Sequence, residues 1–204
     1  MIALIDYGSG NLKSVRKAFQ FLGAEPRLIK EPEELAHARA VILPGVGAFD
    51  DCLGALRHQK LEAPLCKFIR SGRPFLGICV GYQALFERSQ ENRSIEPGLG
   101  IFKGEVRRFG EHPGIKIPQI GWNNISILNP ACPLYKGIAP GSYLYFVHSF
   151  YPVPEEPAIA ATQTEYGETF TSSIWRDSIF AVQFHPEKSQ QTGLRILRNF
   201  LELV

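Results

Sequence analysis

One pentapeptide in this chain has the spacing of a nucleophile: Gly77-Ile78-Cys79-Val80-Gly81, which follows an apolar run and precedes a helical pattern. Glycines two residues to either side of a reactive side chain permit the strained strand-to-helix turn called a nucleophile elbow. Such a turn lifts the thiol above a sheet and sets it at a helix N-terminus, where unpaired N–H groups favour the thiolate and hold a developing oxyanion. Cys52, Cys66 and Cys132 lack these flanks and read as small apolar core residues. A thiol nucleophile needs a base, and the base needs an orienting group. His37 and His58 lie among charged or polar neighbours on expected helices, and His112 sits in a turn beside Pro113, so all three read as solvated. His185 ends an apolar strand and is followed by Pro186-Glu187, which puts a carboxylate two residues away across a stiff proline. Cys79, His185 and Glu187 together make the set that performs acyl transfer through a thioester.

Other chemistries find less support. Gly8-x-Gly10 would continue a dinucleotide fingerprint only with glycine at 13, where Lys13 stands, and Lys13-Ser14 lacks the preceding glycine of a P-loop. No His/Cys/Asp/Glu cluster has metal-ligand spacing, and the four cysteines include no C-x-x-C pair, so neither metal nor cofactor is expected. Lys plus Arg number 22 against 20 Asp plus Glu, a net charge of +2, too small for a nucleic-acid face. The start of the chain has no basic region before its apolar run, and Asp6 cuts that run short, so no export signal is expected. No stretch approaches the ~20 apolar residues of a membrane span. With free cysteines, this points to a cytoplasmic protein.

The elements that must position Cys79 and His185 follow from periodicity. Residues 2–5, 26–29, 40–43 and 74–78 read as buried strands. A helix is expected after the first, on Leu12, Val15, Ala18, Phe19 and Leu22, with Gly23 at its C-terminal cap. Residues 50–71 are helical in pattern with a break expected near Pro64, and residues 82–88 read as a helix. Residues 101–109, 143–147, 158–162, 169–175 and 179–184 are strand-like with no long helix between them, and a closing helix is expected over 191–203. The predicted architecture is a three-layer α/β fold: a mostly parallel central sheet flanked by helices, with an added antiparallel region. Its 204 residues form one domain, 1–204.

With these residues in hand, the chain resembles the triad (class I) glutamine amidotransferases, whose signature is a G-x-C-x-G elbow and a late His-x-Glu. The likeness is closer still to the branch of glutaminase subunits that serve imidazole glycerol phosphate synthase in histidine biosynthesis. It rests on Asp6-Tyr7-Gly8-Ser9-Gly10-Asn11-Leu12, Pro44-Gly45-Val46-Gly47, Gly121-Trp122-Asn123, Phe146-Val147-His148-Ser149-Phe150 and His185-Pro186-Glu187-Lys188-Ser189, spread from residue 6 to residue 189. The resemblance implies a flavodoxin-like sheet and a hydrolysis of L-glutamine to L-glutamate and ammonia without a cofactor. Cys79 would attack the carboxamide, His185 would move the proton, and Glu187 would orient His185. The backbone N–H of Val80 and one from Gly45-Val46-Gly47 would meet the oxyanion, and that loop is linked in the family with activation by the partner. Gln83 and the backbone of His148, Ser149 and Phe150 would hold the substrate, with Glu91 on its α-ammonium group. The implied partner is a (β/α)₈-barrel cyclase subunit that takes up the ammonia, forming a heterodimer that makes imidazole glycerol phosphate and AICAR. Gly8, Ser9, Gly10, Asn11, Trp122, Tyr145 and Lys188 match positions near that interface. Two alternatives stay open at this level: a glutaminase subunit of another synthase, such as pyridoxal phosphate synthase, and a cysteine-elbow hydrolase of the DJ-1/PfpI superfamily.

Overall fold

Continuous apolar runs form strands buried on both faces, and the central strands show it. A computed structural model describes residues 1–8, 10–91 and 96–204. The first half alternates strands and helices: β1 (Ile2–Ile5), α1 (Leu12–Phe21), β2 (Arg27–Ile29), β3 (Ala40–Gly45), α2 (Phe49–His58), α3 (Glu62–Ile69), β4 (Phe75–Cys79) and the single turn α4 (Val80–Gln83). The second half is strand-rich: β5 (Arg88–Ser89), β6 (Gly104–Arg108), β7 (Gln119–Asn124), β8 (Ser126–Ile127), β9 (Tyr143–His148), β10 (Phe150–Pro154), β11 (Ala160–Tyr166), β12 (Glu168–Arg176) and β13 (Ile179–Val182), closed by α5 (Gln190–Leu201). Eight strands make the main sheet in the order β2-β1-β3-β4-β13-β12-β11-β8. The first five are parallel, and β12, β11 and β8 continue the sheet antiparallel. Every residue of β3, β4 and β13 is buried. A three-stranded sheet β10-β6-β5 and an antiparallel ribbon β7-β9 complete the fold.

Helix ends follow the local chemistry. Gly23, at φ +85°, closes α1 with Ala24 N–H on the Phe19 carbonyl and Gly23 N–H on that of Gln20, the paired bonds of a Schellman cap. The same cap ends α2 on Lys60, at φ +58°. The break in the 50–71 pattern therefore falls at Lys60, not at Pro64. Pro64 occupies the first turn of α3, where its missing N–H has no intrahelical partner to lose. The helix expected over 82–88 is also shorter, because the carbonyls of Ala84, Leu85 and Phe86 accept from residues 99–102 instead. Strands β5, β7, β8 and β10 lie outside the expected strands. β10 contains Pro152 and Pro154 but is an edge strand, where proline is tolerated.

Aromatic packing joins the layers. Phe200 of α5 meets Phe19 of α1 edge-on at 6.5 Å and Phe180 of β13 at 6.2 Å. Among the described residues, no helix is long and apolar enough to cross a membrane.

The glycines separate into packed and open positions, and substitutions test this. A Cβ on Gly81 would lie 1.9 Å from the Leu43 carbonyl oxygen, so Gly81→Ala should destabilise the chain by about 3 kcal/mol. Gly54, inside α2, has nothing within 4 Å of its Cβ position, so Gly54→Ala should stabilise by about 1 kcal/mol. Urea unfolding of the two variants beside the parent measures both.

Candidate active site

Parallel strands present their C-terminal ends on one edge, and β3 and β4 end together there: Gly45 pairs with Cys79. The elbow is as tight as the sequence requires. Cys79 sits at φ +55°, ψ −112°, a conformation that costs a residue with a Cβ of order 1–3 kcal/mol. Around it, side chains are excluded. A Cβ on Gly77 would lie 2.7 Å from the Gly81 carbonyl oxygen, and one on Gly45 would lie 2.6 Å from both Gly81 N and Val80 Cβ. α4 is only four residues long, so its contribution to the site is the local Val80 N–H more than a helix dipole.

His185 arrives from the neighbouring strand. β13 stops at Val182, two residues earlier than its apolar run, and the chain then bends so that the His185 N–H donates to the Tyr145 carbonyl at 2.9 Å. Ser189 Oγ donates to the His185 carbonyl at 2.7 Å. The imidazole Nδ1 lies 2.9 Å from Glu187 Oε1, with both side chains essentially inaccessible. A carboxylate only accepts, so Nδ1 carries the proton and Nε2 is left as the acceptor. Nε2 is buried, and Cys79 is the reactive neighbour it faces. Burial alone would lower the pKa of His185, but Cys79 and then Glu187 outweigh it and raise it to about 10.

A cavity of about 260 Å³ collects the expected residues: Val46, Gly47, Cys79, Val80, Gln83, Glu91, His148, Ser149, Phe150, His185 and Lys188 all line it. That volume suits a small metabolite, below the ~300–1,000 Å³ of drug-sized sites. Gly45 lies just behind, packed on the elbow. Glu91 is not a solvated acid: its Oε2 accepts from the Phe49 N–H at 2.7 Å, at the start of α2. Burial, with Asp50 and Asp51 nearby, nevertheless raises its pKa. His148 is held neutral, its pKa pushed down to about 3 by burial. Its Nδ1 lies 2.8 Å from the Phe150 carbonyl and its Nε2 3.0 Å from the Gln119 side-chain amide.

The residues expected at an interface lie around this edge. Trp122 of β7 is half-exposed and stands opposite Tyr145 of β9, ring edge to ring face at 6.1 Å. Lys188 Nζ lies 5.8 Å from the Tyr145 ring centre. Gly8 donates its N–H to Asp6. Asn11 leaves the start of α1 without a side-chain cap and instead reaches Glu187 Oε1 at 3.4 Å. Gly10, at φ +120°, precedes it; Ser9 lies outside the described residues.

Three features went unread in the sequence. Gln183, fully buried, donates to Cys79 Sγ at 3.6 Å. A polar residue inside the apolar run 179–184 was the available signal, since a buried amide must find partners. Tyr7 buries its hydroxyl against Cys52 and the Val46 N–H. His112, expected to be solvated, is half-buried with its ring over Gly167. Cys52 and Cys132 are core thiols whose pKa burial pushes up to about 12, and Cys66 is half-buried. Among the described residues, no His/Cys/Asp/Glu group could hold a metal ion.

A parallel α/β sheet with a cysteine elbow facing a buried His–Glu pair defines the triad class of cysteine-dependent amidohydrolases. The model of the family "Glutamine amidotransferase class-I" matches residues 3–204, and the chain belongs to that family, whose enzymes hydrolyse glutamine. It is 48% identical to the imidazole glycerol phosphate synthase subunit HisH of Thermosynechococcus vestitus, covering 100% of this chain and 97% of the relative. To the HisH subunit of Trichormus variabilis it is 50% identical, covering 100% and 96%. Among solved structures, a chain of PurLQS from Thermotoga maritima superposes with TM-score 0.78 at 19% identity, covering 98% of this chain and 97% of that one. A crystal structure of a glutamine amidotransferase gives TM-score 0.74 at 20% identity, covering 99% and 97%. These two share the fold.

The His185 shift has a stability consequence of definite sign. A group whose pKa rises on folding, here from 6.5 to about 10, contributes stability that is complete below the lower value. That contribution is lost as pH climbs through the upper one. Glu187→Gln removes one cause of the shift. The melting-temperature gap between parent and variant should therefore be widest below pH 6.5 and close towards pH 10, as calorimetry across that range would register.

Proposed function

We propose that this chain is the glutaminase subunit of an imidazole glycerol phosphate synthase. It would release ammonia from L-glutamine and pass it to a cyclase subunit. The observation that carries the reading is that Cys79 and His185 line one small cavity while Glu187 holds the His185 Nδ1 from behind, in a chain about half identical to HisH subunits over its full length.

The chemistry follows from those groups. His185 Nε2 takes the thiol proton, and Cys79 Sγ adds to the carboxamide carbon of glutamine. The negative charge moves to the carboxamide oxygen, where the Val80 N–H and an N–H of Gly45-Val46-Gly47 receive it. Collapse expels the amide nitrogen with the proton carried by His185, giving ammonia and a thioester on Cys79. Water, deprotonated at His185, then cleaves the thioester to glutamate and restores the thiol. Glu187 holds the imidazole in the tautomer that both steps need. Gln83, Glu91 and the backbone at His148, Ser149 and Phe150 hold the amino-acid end of the substrate. Residues 1–204 act as one amidotransferase domain in the cytoplasm. The partner is a cyclase with a (β/α)₈-barrel fold, docked around Gly8, Ser9, Gly10, Asn11, Trp122, Tyr145 and Lys188. The exposure of Ile120, Trp122 and Tyr143 on the β7-β9 ribbon supports that face as the docking surface.

Glutamine hydrolysis by the purified chain, with and without the cyclase and its nucleotide ligand, tests the reading. Weak turnover alone and strong stimulation in the complex are expected. Cys79→Ala should lower the stimulated kcat by on the order of 10⁴-fold or more; robust turnover by that variant would rule out the thioester route.

A further inference from the structure

A chain of three hydrogen bonds runs from the β10 backbone to the sulfur, and its direction is fixed by what each atom can donate. The Phe150 carbonyl oxygen only accepts, so the Gln83 amide atom 3.0 Å from it is the NH₂. That NH₂ also lies 3.2 Å from the Gln183 side chain, so the Gln183 atom it meets is the carbonyl oxygen. Gln183 must then turn its own NH₂ toward Cys79 Sγ, 3.6 Å away. A single backbone carbonyl thus sets the orientation of two side-chain amides.

Gln183 is 0% exposed. A primary amide buried this deeply costs free energy unless both its ends are partnered. The carbonyl end is served by Gln83, and the NH₂ end is served by sulfur. Gln183 therefore engages the sulfur from the buried side, while His185 faces it across the cavity.

We infer that Gln183 is a positioning residue for Cys79: it donates an N–H to the sulfur, favours S⁻ over S–H, and fixes the sulfur's place at the cavity. This rests on reading Cys79 as the nucleophile. The sulfur is negative when it attacks and again when it is expelled from the thioester, and it is neutral in the thioester itself. An N–H donor fixed beside it therefore favours both charged stages.

The test uses Gln183→Met, which removes the donor, and Gln183→Glu, which keeps an acceptor for Gln83 but turns a carboxylate oxygen to the sulfur. Iodoacetamide labelling of Cys79, resolved by mass spectrometry, is followed near neutral pH and in alkali, where the thiol is ionised regardless. Losing a hydrogen bond to a charged atom should slow neutral labelling by Gln183→Met about tenfold and leave alkaline labelling within about twofold. Gln183→Glu should be slower still at neutral pH. In the complex with the cyclase, kcat should fall about tenfold with KM for glutamine within about threefold. A purely structural role would move neutral and alkaline labelling together, and that result, or parental rates in both variants, overturns the inference. Should neither variant fold, the parent protein decides: its Gln183 side-chain NH₂ resonances should shift as the thiol ionises, and this shift should vanish in Cys79→Ser. An unmoved resonance overturns it equally. Labelling needs no substrate, so a wild-type complex that fails to hydrolyse glutamine would defeat the proposed function while the labelling contrast still reports on Gln183.

Discussion

The site exists because backbone meets backbone where β3, β4 and α4 come together. A Cβ on Gly81 would fall 1.9 Å from the Leu43 carbonyl, and one on Gly45 would strike Gly81 N and Val80 Cβ. With no side chains in the way, α4 rests directly on the end of β3. This contact seats Gly45 opposite Cys79 and sends Val46 and Gly47 along the rim of the cavity. Any side chain at these points would hold α4 away from β3. The Val80 N–H, the 45–47 peptides and the sulfur would then no longer share one small volume. Packing density, rather than any single hydrogen bond, is what brings the reactive groups into register.

A second layer of order is polar. The Phe150 carbonyl takes one bond from His148 Nδ1 and one from the Gln83 NH₂, so both its lone pairs are used. The corner between β9 and β10 is fixed to the elbow through it. On the other side, the Tyr145 carbonyl holds the His185 N–H, and Ser189 Oγ accepts from the Tyr145 N–H while donating to the His185 carbonyl. β9 therefore touches both halves of the site, the substrate-facing backbone at one end and the histidine turn in its middle. The ribbon it forms with β7 carries the exposed Ile120, Trp122 and Tyr143. These exposed apolar side chains are thus connected to the imidazole by a short run of main chain.

Legibility in the sequence followed how local each determinant is. The elbow, the His-x-Glu turn, the parallel strands and the Gly23 cap all depend on residues a few positions apart, and their spacing was sufficient. Pro64 misled because proline breaks a helix only beyond its first turn, and where α3 starts is decided by the left-handed Lys60 upstream. The helix expected over 82–88 lost to carbonyl partners from residues 99–102, a long-range competition that periodicity cannot show. Strand β10 was hidden by prolines that only an edge position permits. Gln183, Asn11 and Tyr7 depend on partners far along the chain: Cys79, Glu187, and the Cys52–Val46 region. Their types were visible, but their neighbours were not.

The two site histidines show how far identical chemistry can be driven apart by its surroundings. His148 and His185 are both buried, at 6% and 1% exposure, and burial alone disfavours the cation in each. His148 finds only a carbonyl and a carboxamide, neither of which offsets the lost solvation, so it stays neutral and serves as a rigid brace. His185 finds a carboxylate at 2.9 Å and a thiol that can lose its proton, and its cationic form is favoured. Each protonation state supports the other: a neutral His148 adds little repulsion beside His185, and a cationic His185 discourages protonation of His148. Glu187, two residues along one turn, therefore does more than orient a ring. With Cys79, the larger influence, it decides which of two buried imidazoles carries charge, and hence which one can shuttle a proton.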